Sequence, residues 1–261
     1  MRRFWRSGIG AASIALMVPG LLLAACQGAA KSDELAEKPF GNASGAIKFP
    51  HAERPVSKIV STQWSTEPER DIQKEAQTVM DLAGIAPGMS VADIGAGEGY
   101  YTVRLAARVG PKGRVLAQDI DARALSRVGT RAERERLANV STELGTADDP
   151  RLPKDSFDRI FMIHMYHEIV EPYAFLWHIW PALKAGGQIA VVDLDRPSDQ
   201  HGIAPAQLSC EFAAAGFRLS AFHPIPGNAG YYAQFAKTGA RRPEPGEIKP
   251  CRDIADGAVR R

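Results

Sequence analysis

A glycine-rich stretch near the middle of the chain limits its possible folds more than any other feature. An apolar run that carries one acid, Asp93, covers Val91–Ile94, and a helical pattern resumes over Tyr101–Val109. Between them glycine occupies every second position: Gly95, Gly97 and Gly99. A strand, a glycine turn and a helix in this order bring backbone close to a nucleotide-like ligand, because a Cβ would block both the turn and the approach. The sequence therefore predicts an α/β domain with a ligand site at this turn.

The spacing of these residues separates two classes of ligand. A dinucleotide-binding turn reads G-x-G-x-x-G and offers a helix N-terminus to a pyrophosphate. Here the order is D-x-G-x-G-x-G, with Asp93 two residues before the first glycine. A carboxylate at that place repels a pyrophosphate and suits a ligand that carries an ammonium group and no phosphate. The spacing disfavours an NAD(P)-dependent oxidoreductase, which stays as the weaker alternative.

At these residues the sequence resembles the class I S-adenosylmethionine-dependent methyltransferases, whose first motif has this form. The resemblance runs from about Ile72 to Lys237 and includes the later pairing of LKAGG with IAVVDLD. It implies an α/β fold over residues 63–237, with a doubly wound, mostly parallel seven-stranded sheet, helices on both faces and an antiparallel C-terminal strand. It also implies S-adenosyl-L-methionine as the cofactor and methyl transfer as the activity.

The methionine and ribose parts of the cofactor are assigned to the glycine turn and two acids. Asp93 and the turn backbone would hold the methionine end, and the turn positions concerned are Gly95, Ala96, Gly97 and Gly99. Asp119 ends a second apolar run 26 residues after Asp93, where α/β folds of this type place an acid for the ribose hydroxyls. Asp121 fits the cap of the next helix better, so we assign the ribose to Asp119.

The adenine end is assigned by the resemblance. The family places an acidic residue against the adenine amino group after the third strand, and the sequence there is GTADD. We assign this contact to Asp148, with Asp149 as the fallback. His164, directly after the fourth apolar run, completes the predicted cofactor-binding residues.

Candidate catalytic residues follow the fourth predicted strand, because the C-terminal ends of central strands face the ligand crevice in doubly wound folds. They are Tyr166, His167 and Glu168. A histidine with a near-neutral pKa can take a proton from a hydroxyl, amine or thiol, so His167 is the predicted base. Two alternatives stay open: His167 only packs or caps a helix, or it binds a metal with His164, helped by Glu168 or His201. No metal ligand is assigned.

The N-terminus predicts export and lipid anchoring. Three arginines precede an apolar run from Ile9 to Ala25, which is typical of a signal peptide over residues 1–25. The run ends in LAAC, which resembles a bacterial lipoprotein processing site, so Cys26 would become the lipidated first residue. Residues 26–62 are predicted as a flexible tether. This predicts a protein held by its lipid at the cell envelope, on the periplasmic side of the outer membrane; an uncleaved anchor is the alternative.

The remaining cysteines and the C-terminus concern the exported domain. Lipidation of Cys26 leaves Cys210 and Cys251, an even pair in an oxidising compartment, which favours a disulfide between them. Residues 238–261 are rich in proline, glycine and charge, and we predict a mostly disordered tail.

Before the glycine turn, the sequence predicts one helix from Thr66 to about Ala83 that buries Ile72.

The charge and the predicted compartment limit the possible partners. A formal net charge of +2 argues against a nucleic-acid binder, which needs a clustered excess of basic residues. The predicted partners are a small-molecule or envelope acceptor and the membrane, through the lipid. Because S-adenosylmethionine is made in the cytoplasm, an exported relative that binds it without catalysis is the alternative function. The presence of every predicted cofactor acid favours the enzyme.

Overall fold

The computed structural model describes residues 48–59, 66–225 and 230–252. The predicted signal peptide, Cys26 and most of the tether lie outside the described residues. Within these ranges, no helix combines the length and the apolar character that crossing a membrane requires.

Helices and strands alternate along the domain, as the glycine motif and the apolar runs predict. The helices are α1 (Glu67–Ile72), α2 (Glu75–Leu82), α3 (Tyr100–Val109), α4 (Ala122–Arg134), α5 (Pro172–Ile179) and α6 (Pro205–Ala214). The strands are β1 (Ser90–Ile94), β2 (Arg114–Asp119), β3 (Val140–Leu144), β4 (Phe157–Ile163), β5 (Leu183–Asp193), β6 (Phe217–Pro224) and β7 (Tyr231–Lys237). Short 3₁₀ turns cover Tyr166–Glu168, Trp180–Ala182, Ser198–Gln200 and Pro245–Glu247.

The seven strands form one sheet in the order β3-β2-β1-β4-β5-β7-β6, which confirms the predicted fold class. Strands β1 to β5 pair in parallel, and β7 lies antiparallel to both β5 and β6. The strand order reverses between β1 and β4. Ligands bind at such a reversal, outside the C-terminal ends of the strands, so the topology places the crevice beside the glycine turn.

The central strands are apolar on both faces because helices cover both sides of the sheet. Along β4, Ile160 and Met162 pack into a cluster with residues of α5 and α6, whereas Phe161 packs into a second cluster with α2 and α3. This alternation follows from the two-residue period of a strand. It fixes the register of β4, and so the position of the residues that follow it.

The helix predicted from Thr66 to Ala83 is broken in two. Lys74 has a left-handed backbone with φ of 54°, and it separates α1 from α2. Ile72, which the periodicity places in the core, is 81% exposed. An ion pair between Arg70 and Glu75 spans the break, and we attribute the change of direction to this pair, which turns α1 away from the core.

Two segments that the sequence predicts as flexible pack against the domain instead. Residues 48–59, here called the N-terminal strap, bury Arg54, which is 5% exposed. Residues 238–252, the C-terminal strap, bury Cys251, whose disulfide to Cys210 on α6 is the predicted one. A parallel bridge between Glu53 and Arg252 joins the two straps. The predictions of a tether to residue 62 and a disordered tail are therefore wrong for these segments.

Candidate functional site

The glycine turn between β1 and α3 has a backbone that side chains rarely adopt. The φ angles of Gly95 and Gly99 are +67° and +79°. A Cβ on Gly95 would lie 3.1 Å from Cγ of Met165, and a Cβ on Gly99 would lie 3.3 Å from Cγ2 of Val128. A side chain at either position would therefore be strained and crowded, which accounts for the two glycines; that this backbone binds the cofactor stays a prediction.

Asp93 lies at the end of β1, directly under this turn. It is 3% exposed, and the hydroxyl of Thr102 donates a hydrogen bond of 2.6 Å to its Oδ2. Burial raises the pKa of Asp93 to about 6, although the hydrogen bond from Thr102 and the charge of Arg70 act in the opposite direction. An isolated buried carboxylate is costly, so a cationic group beside it would be favoured.

Asp119 connects β2 to the same turn. Its Oδ2 accepts a hydrogen bond of 2.9 Å from the amide of Gly97, and its Oδ1 accepts one of 2.9 Å from the amide of Asp121. Each oxygen keeps a further acceptor position, which ribose hydroxyls could use. Asp121 caps α4 by accepting a 2.8 Å hydrogen bond from the amide of Arg123, which is the role predicted for it.

The predicted adenine acid has local partners. Asp148 is exposed, and its Oδ1 accepts a 2.7 Å hydrogen bond from the hydroxyl of Thr146. Asp149 accepts a 2.7 Å hydrogen bond from the amide of Arg151. Within the part of the chain that the structure describes, neither acid forms a hydrogen bond with the glycine turn, so the adenine assignment stays a prediction.

The sequence analysis missed a polar group near these acids. Gln118 at the end of β2 is 1% exposed, and its Nε2 has no hydrogen-bond partner among the described residues. A Cβ on Gly145 would collide with this atom. The only sequence signal is its position directly before Asp119.

His164 lies on the opposite side of the crevice from the adenine acids, next to α2. Its backbone is left-handed, with φ of 54°, and its Nε2 is 3.8 Å from Oε1 of Glu75. Burial lowers the pKa of His164 against the opposing effect of Glu75. Glu75 also accepts hydrogen bonds from Arg70 (2.6 Å) and the hydroxyl of Tyr101 (2.9 Å). The sequence analysis missed this buried Glu75 cluster.

Tyr166 has a structural role instead of the predicted catalytic one. Its side chain is fully buried, and its hydroxyl donates a 2.8 Å hydrogen bond to Oε2 of Glu211. Burial raises its pKa well above the usual value. The same Glu211 accepts a 2.7 Å hydrogen bond from Nε of Arg54 in the N-terminal strap. Tyr166 thus belongs to a buried network that joins α6 to the strap.

His167 forms a buried pair with Asp193, the last residue of β5. Its Nδ1 is 2.9 Å from Oδ1 and 3.0 Å from Oδ2 of that carboxylate. The amide of Leu194 also donates a 2.8 Å hydrogen bond to Asp193. The Nε2 of His167 is buried and has no hydrogen-bond partner among the described residues. Asp193 was missed as a site residue; the signal was an acid that ends an apolar strand.

Glu168 and His201 lie beside His167. One nitrogen or oxygen from each of these three side chains falls within 4.8 Å of the others. The rings of His167 and His201 are 5.7 Å apart and almost perpendicular. Of the residues in the metal alternative, the structure therefore brings His167, Glu168 and His201 together and leaves His164 outside the group.

The methyltransferase domain family matches residues 85–236, which is more than half of the chain. The ubiquinone/menaquinone biosynthesis C-methyltransferase of Vibrio vulnificus is 27% identical over 157 residues, or 56% of this chain and 60% of that protein. The nocamycin O-methyltransferase of Saccharothrix syringae is 36% identical over 83 residues, or 32% of this chain and 30% of that protein. The chain thus spans less than two thirds of either relative.

Solved structures agree with the topology. A S-adenosylmethionine-dependent methyltransferase from Aquifex aeolicus has a TM-score of 0.58 at 24% identity, covering 64% of this chain and 91% of that one. The [4+2]-cyclase SpnF has a TM-score of 0.54 at 18% identity, covering 72% of this chain and 70% of that one. These likenesses show the fold. The chain belongs to the methyltransferase domain family.

Proposed function

We propose that this protein methylates a hydroxyl-bearing acceptor in the bacterial cell envelope, to which it is anchored by a lipid on Cys26. The observation that carries the choice of acceptor is the buried pair of His167 and Asp193 at the ends of β4 and β5. A hydroxyl must lose its proton to become a methyl ether, and a carboxylate-supported imidazole is suited to that task. The O-methyltransferase among the relatives supports the same class of acceptor.

The glycine turn and its acids fit the cofactor. Gly95 and Gly99 give the turn its left-handed backbone, and the buried Asp93 beside it would face the cofactor's ammonium group. Asp119, bonded to the turn amide of Gly97, would accept the ribose hydroxyls. When bound, S-adenosylmethionine supplies an activated methyl group, whose transfer forms an O–C bond to the acceptor and breaks the S–C bond.

The chain's own residues then orient the acceptor and remove its proton. Orientation of the hydroxyl about 3 Å from the methyl group supplies much of the rate in such displacements. Asp193 holds His167 by its Nδ1, which directs Nε2 away from the carboxylate. The acceptor's proton leaves at this pair, so the reaction yields one methyl ether, one S-adenosylhomocysteine and one proton.

Two observations support the envelope location. The lipoprotein-like LAAC sequence precedes the domain, and the disulfide between Cys210 and Cys251 requires an oxidising compartment. Metabolic labelling with a radioactive fatty acid tests the anchor. We expect label in the wild-type chain and none in Cys26→Ala; equal label in both would overturn lipidation at Cys26.

Transfer of labelled methyl groups from S-adenosylmethionine to a fractionated envelope extract tests the activity. We expect the purified full-length protein to label one fraction in a form that resists mild base, as an ether does and an ester does not. His167→Ala should reduce the labelling about 100-fold, within the range of general acid–base catalysis. The matched control is His223→Ala, which removes an exposed histidine on β6. Equal activity in both variants, or base-labile label, would contradict the proposal.

A further inference from the structure

We propose that a divalent transition metal of the zinc class binds to Nε2 of His167, the carboxylate of Glu168 and the imidazole of His201. This inference rests on the proposed function in one respect, since the metal would serve the same acceptor. The binding itself depends only on the three side chains and their supports, and it is tested separately from the activity.

The hydrogen bonding of His167 is the first argument. The carboxylate of Asp193 lies against Nδ1, which leaves Nε2 as the ring atom that can contact another group. Nε2 is buried and has no hydrogen-bond partner among the described residues, and a buried polar atom without a partner is unfavourable. Histidines that ligate metals almost always donate their other ring N–H to a carboxylate or carbonyl, as His167 does here.

The composition of the group is the second argument. Two imidazoles and one carboxylate, with their donor atoms within 4.8 Å of one another, provide three protein ligands. Catalytic zinc sites have three protein ligands and keep one position open for water or substrate. Imidazole ligands favour zinc, copper, iron and nickel over magnesium and calcium, which prefer oxygen ligands alone.

The backbone around the group is the third argument. His201 has a left-handed conformation with φ of 56°, which is strained for a residue other than glycine and persists only where its surroundings stabilise it. Ser57 in the N-terminal strap contributes to this, because its Oγ accepts a 3.0 Å hydrogen bond from the amide of His201. The amide of Ser57 donates a 3.2 Å hydrogen bond to the carbonyl of His167. One residue thus joins the two loops that carry the imidazoles.

A metal here would explain how the acceptor loses its proton. A hydroxyl whose oxygen binds a divalent ion becomes much more acidic, as metal-bound water does. Its O–H bond would break, the proton would leave to water, and the oxygen would keep the electron pair needed to attack the methyl group. In the metal-bound protein Nε2 of His167 would be occupied, so the metal would replace His167 as the group that promotes loss of the proton. Asp193 would then position His167 as a ligand.

Metal binding is measured on the full-length protein after treatment with a chelator. We expect one equivalent of Co²⁺ to bind with the intense visible absorption of a four-coordinate site, and Zn²⁺ to displace it. His201→Ala should weaken Co²⁺ binding at least 100-fold, and Asp193→Asn should weaken it about 10–100-fold by misorienting His167. His223→Ala is the matched control and should bind Co²⁺ as the wild type does. Glu168→Gln serves as a second ligand variant, with circular dichroism to confirm that each variant folds.

Binding of S-adenosylhomocysteine to the same samples separates the two proposals. If the wild type binds S-adenosylhomocysteine but neither Co²⁺ nor Zn²⁺, the metal site is refuted and the methyltransferase proposal stands. The same holds if folded His201→Ala and Glu168→Gln bind Co²⁺ like the wild type. If Co²⁺ binds through these residues but no envelope fraction is methylated, the metal site stands and the proposed acceptor fails.

Discussion

The burial of Asp93 links cofactor binding to pH. Its pKa is raised to about 6 because the carboxylate is 3% exposed, whereas an unfolded chain has a pKa of about 3.9 for aspartate. An ammonium group placed against this carboxylate favours its ionised form. If the ammonium returns the pKa to about 3.9, binding weakens about tenfold between pH 7 and pH 5, because protons compete with the ligand for Asp93.

The stability of the ligand-free protein changes with pH in the opposite direction. A raised carboxylate pKa contributes stability that is fully present below the unfolded value and is lost as pH rises through the folded value. With the pKa of Asp93 at about 6, its contribution to the free energy of unfolding is about 3 kcal/mol, and it is lost between about pH 3 and pH 7. Cofactor binding and stability should therefore respond to this one group in opposite directions.

Titration calorimetry with S-adenosylhomocysteine measures this effect, since that compound has the same amino acid moiety and cannot react. At pH 5.5, two buffers of different ionisation enthalpy should reveal net proton release on binding. Asp93→Asn should bind more weakly at pH 7 and lose the pH dependence. Asp81→Asn, which removes an exposed acid paired with Arg108, should keep it. A flat wild-type profile, or the same slope in Asp93→Asn, would show that the ammonium does not lie beside Asp93.

Three further predictions concern the parts that hold the site. Arg54→Ala should lower the free energy of unfolding, measured in urea, by about 3–5 kcal/mol, because it leaves Glu211 as a buried charge without its cation. Arg54→Met combined with Glu211→Leu removes both charges and should lower it much less. Replacement of Cys210 and Cys251 by serine opens a loop of 41 residues and should cost about 4 kcal/mol by the chain-entropy relation, measured by thermal melting with and without reductant. Asp193→Asn should reduce methyl transfer about 10–100-fold with an unchanged dissociation constant for S-adenosylhomocysteine; weaker cofactor binding would instead indicate a collapsed crevice.

Local patterns in the sequence were sufficient to predict the order of elements and the glycine turn. The apolar runs are typical of buried strands, and the alternating glycines predict the tight turn between β1 and α3. Asp121 was predicted correctly as the helix cap, because capping geometry depends on neighbours only two residues away. Asp119 hydrogen-bonds to the turn, and its assignment to the ribose stays a prediction. The prediction of one N-terminal helix was wrong. Its periodicity placed Ile72 in the core, but the turn at Lys74 divides the helix and leaves Ile72 exposed.

The contacts that His167 and Tyr166 make could not be predicted, because their partners are distant in sequence. His167 and Asp193 are 26 residues apart and meet only because β4 and β5 are neighbours in the sheet. The role of Tyr166 depends on Glu211, 45 residues further along. A residue's position after a strand indicates which end of the sheet it occupies, but it does not tell which side chain points into the core.

The straps support the loops that carry His167, Glu168 and His201. The family match covers residues 85–236, so both straps lie outside it. Arg54 donates hydrogen bonds to the carbonyls of Tyr166 and Ile169, and Ser57 joins the loops of His167 and His201. The disulfide fixes the C-terminal strap to α6, the helix that carries the partner of Arg54. Because proteins of one fold differ in the sites built on it, we expect the acceptor to be selected on the side that the straps support.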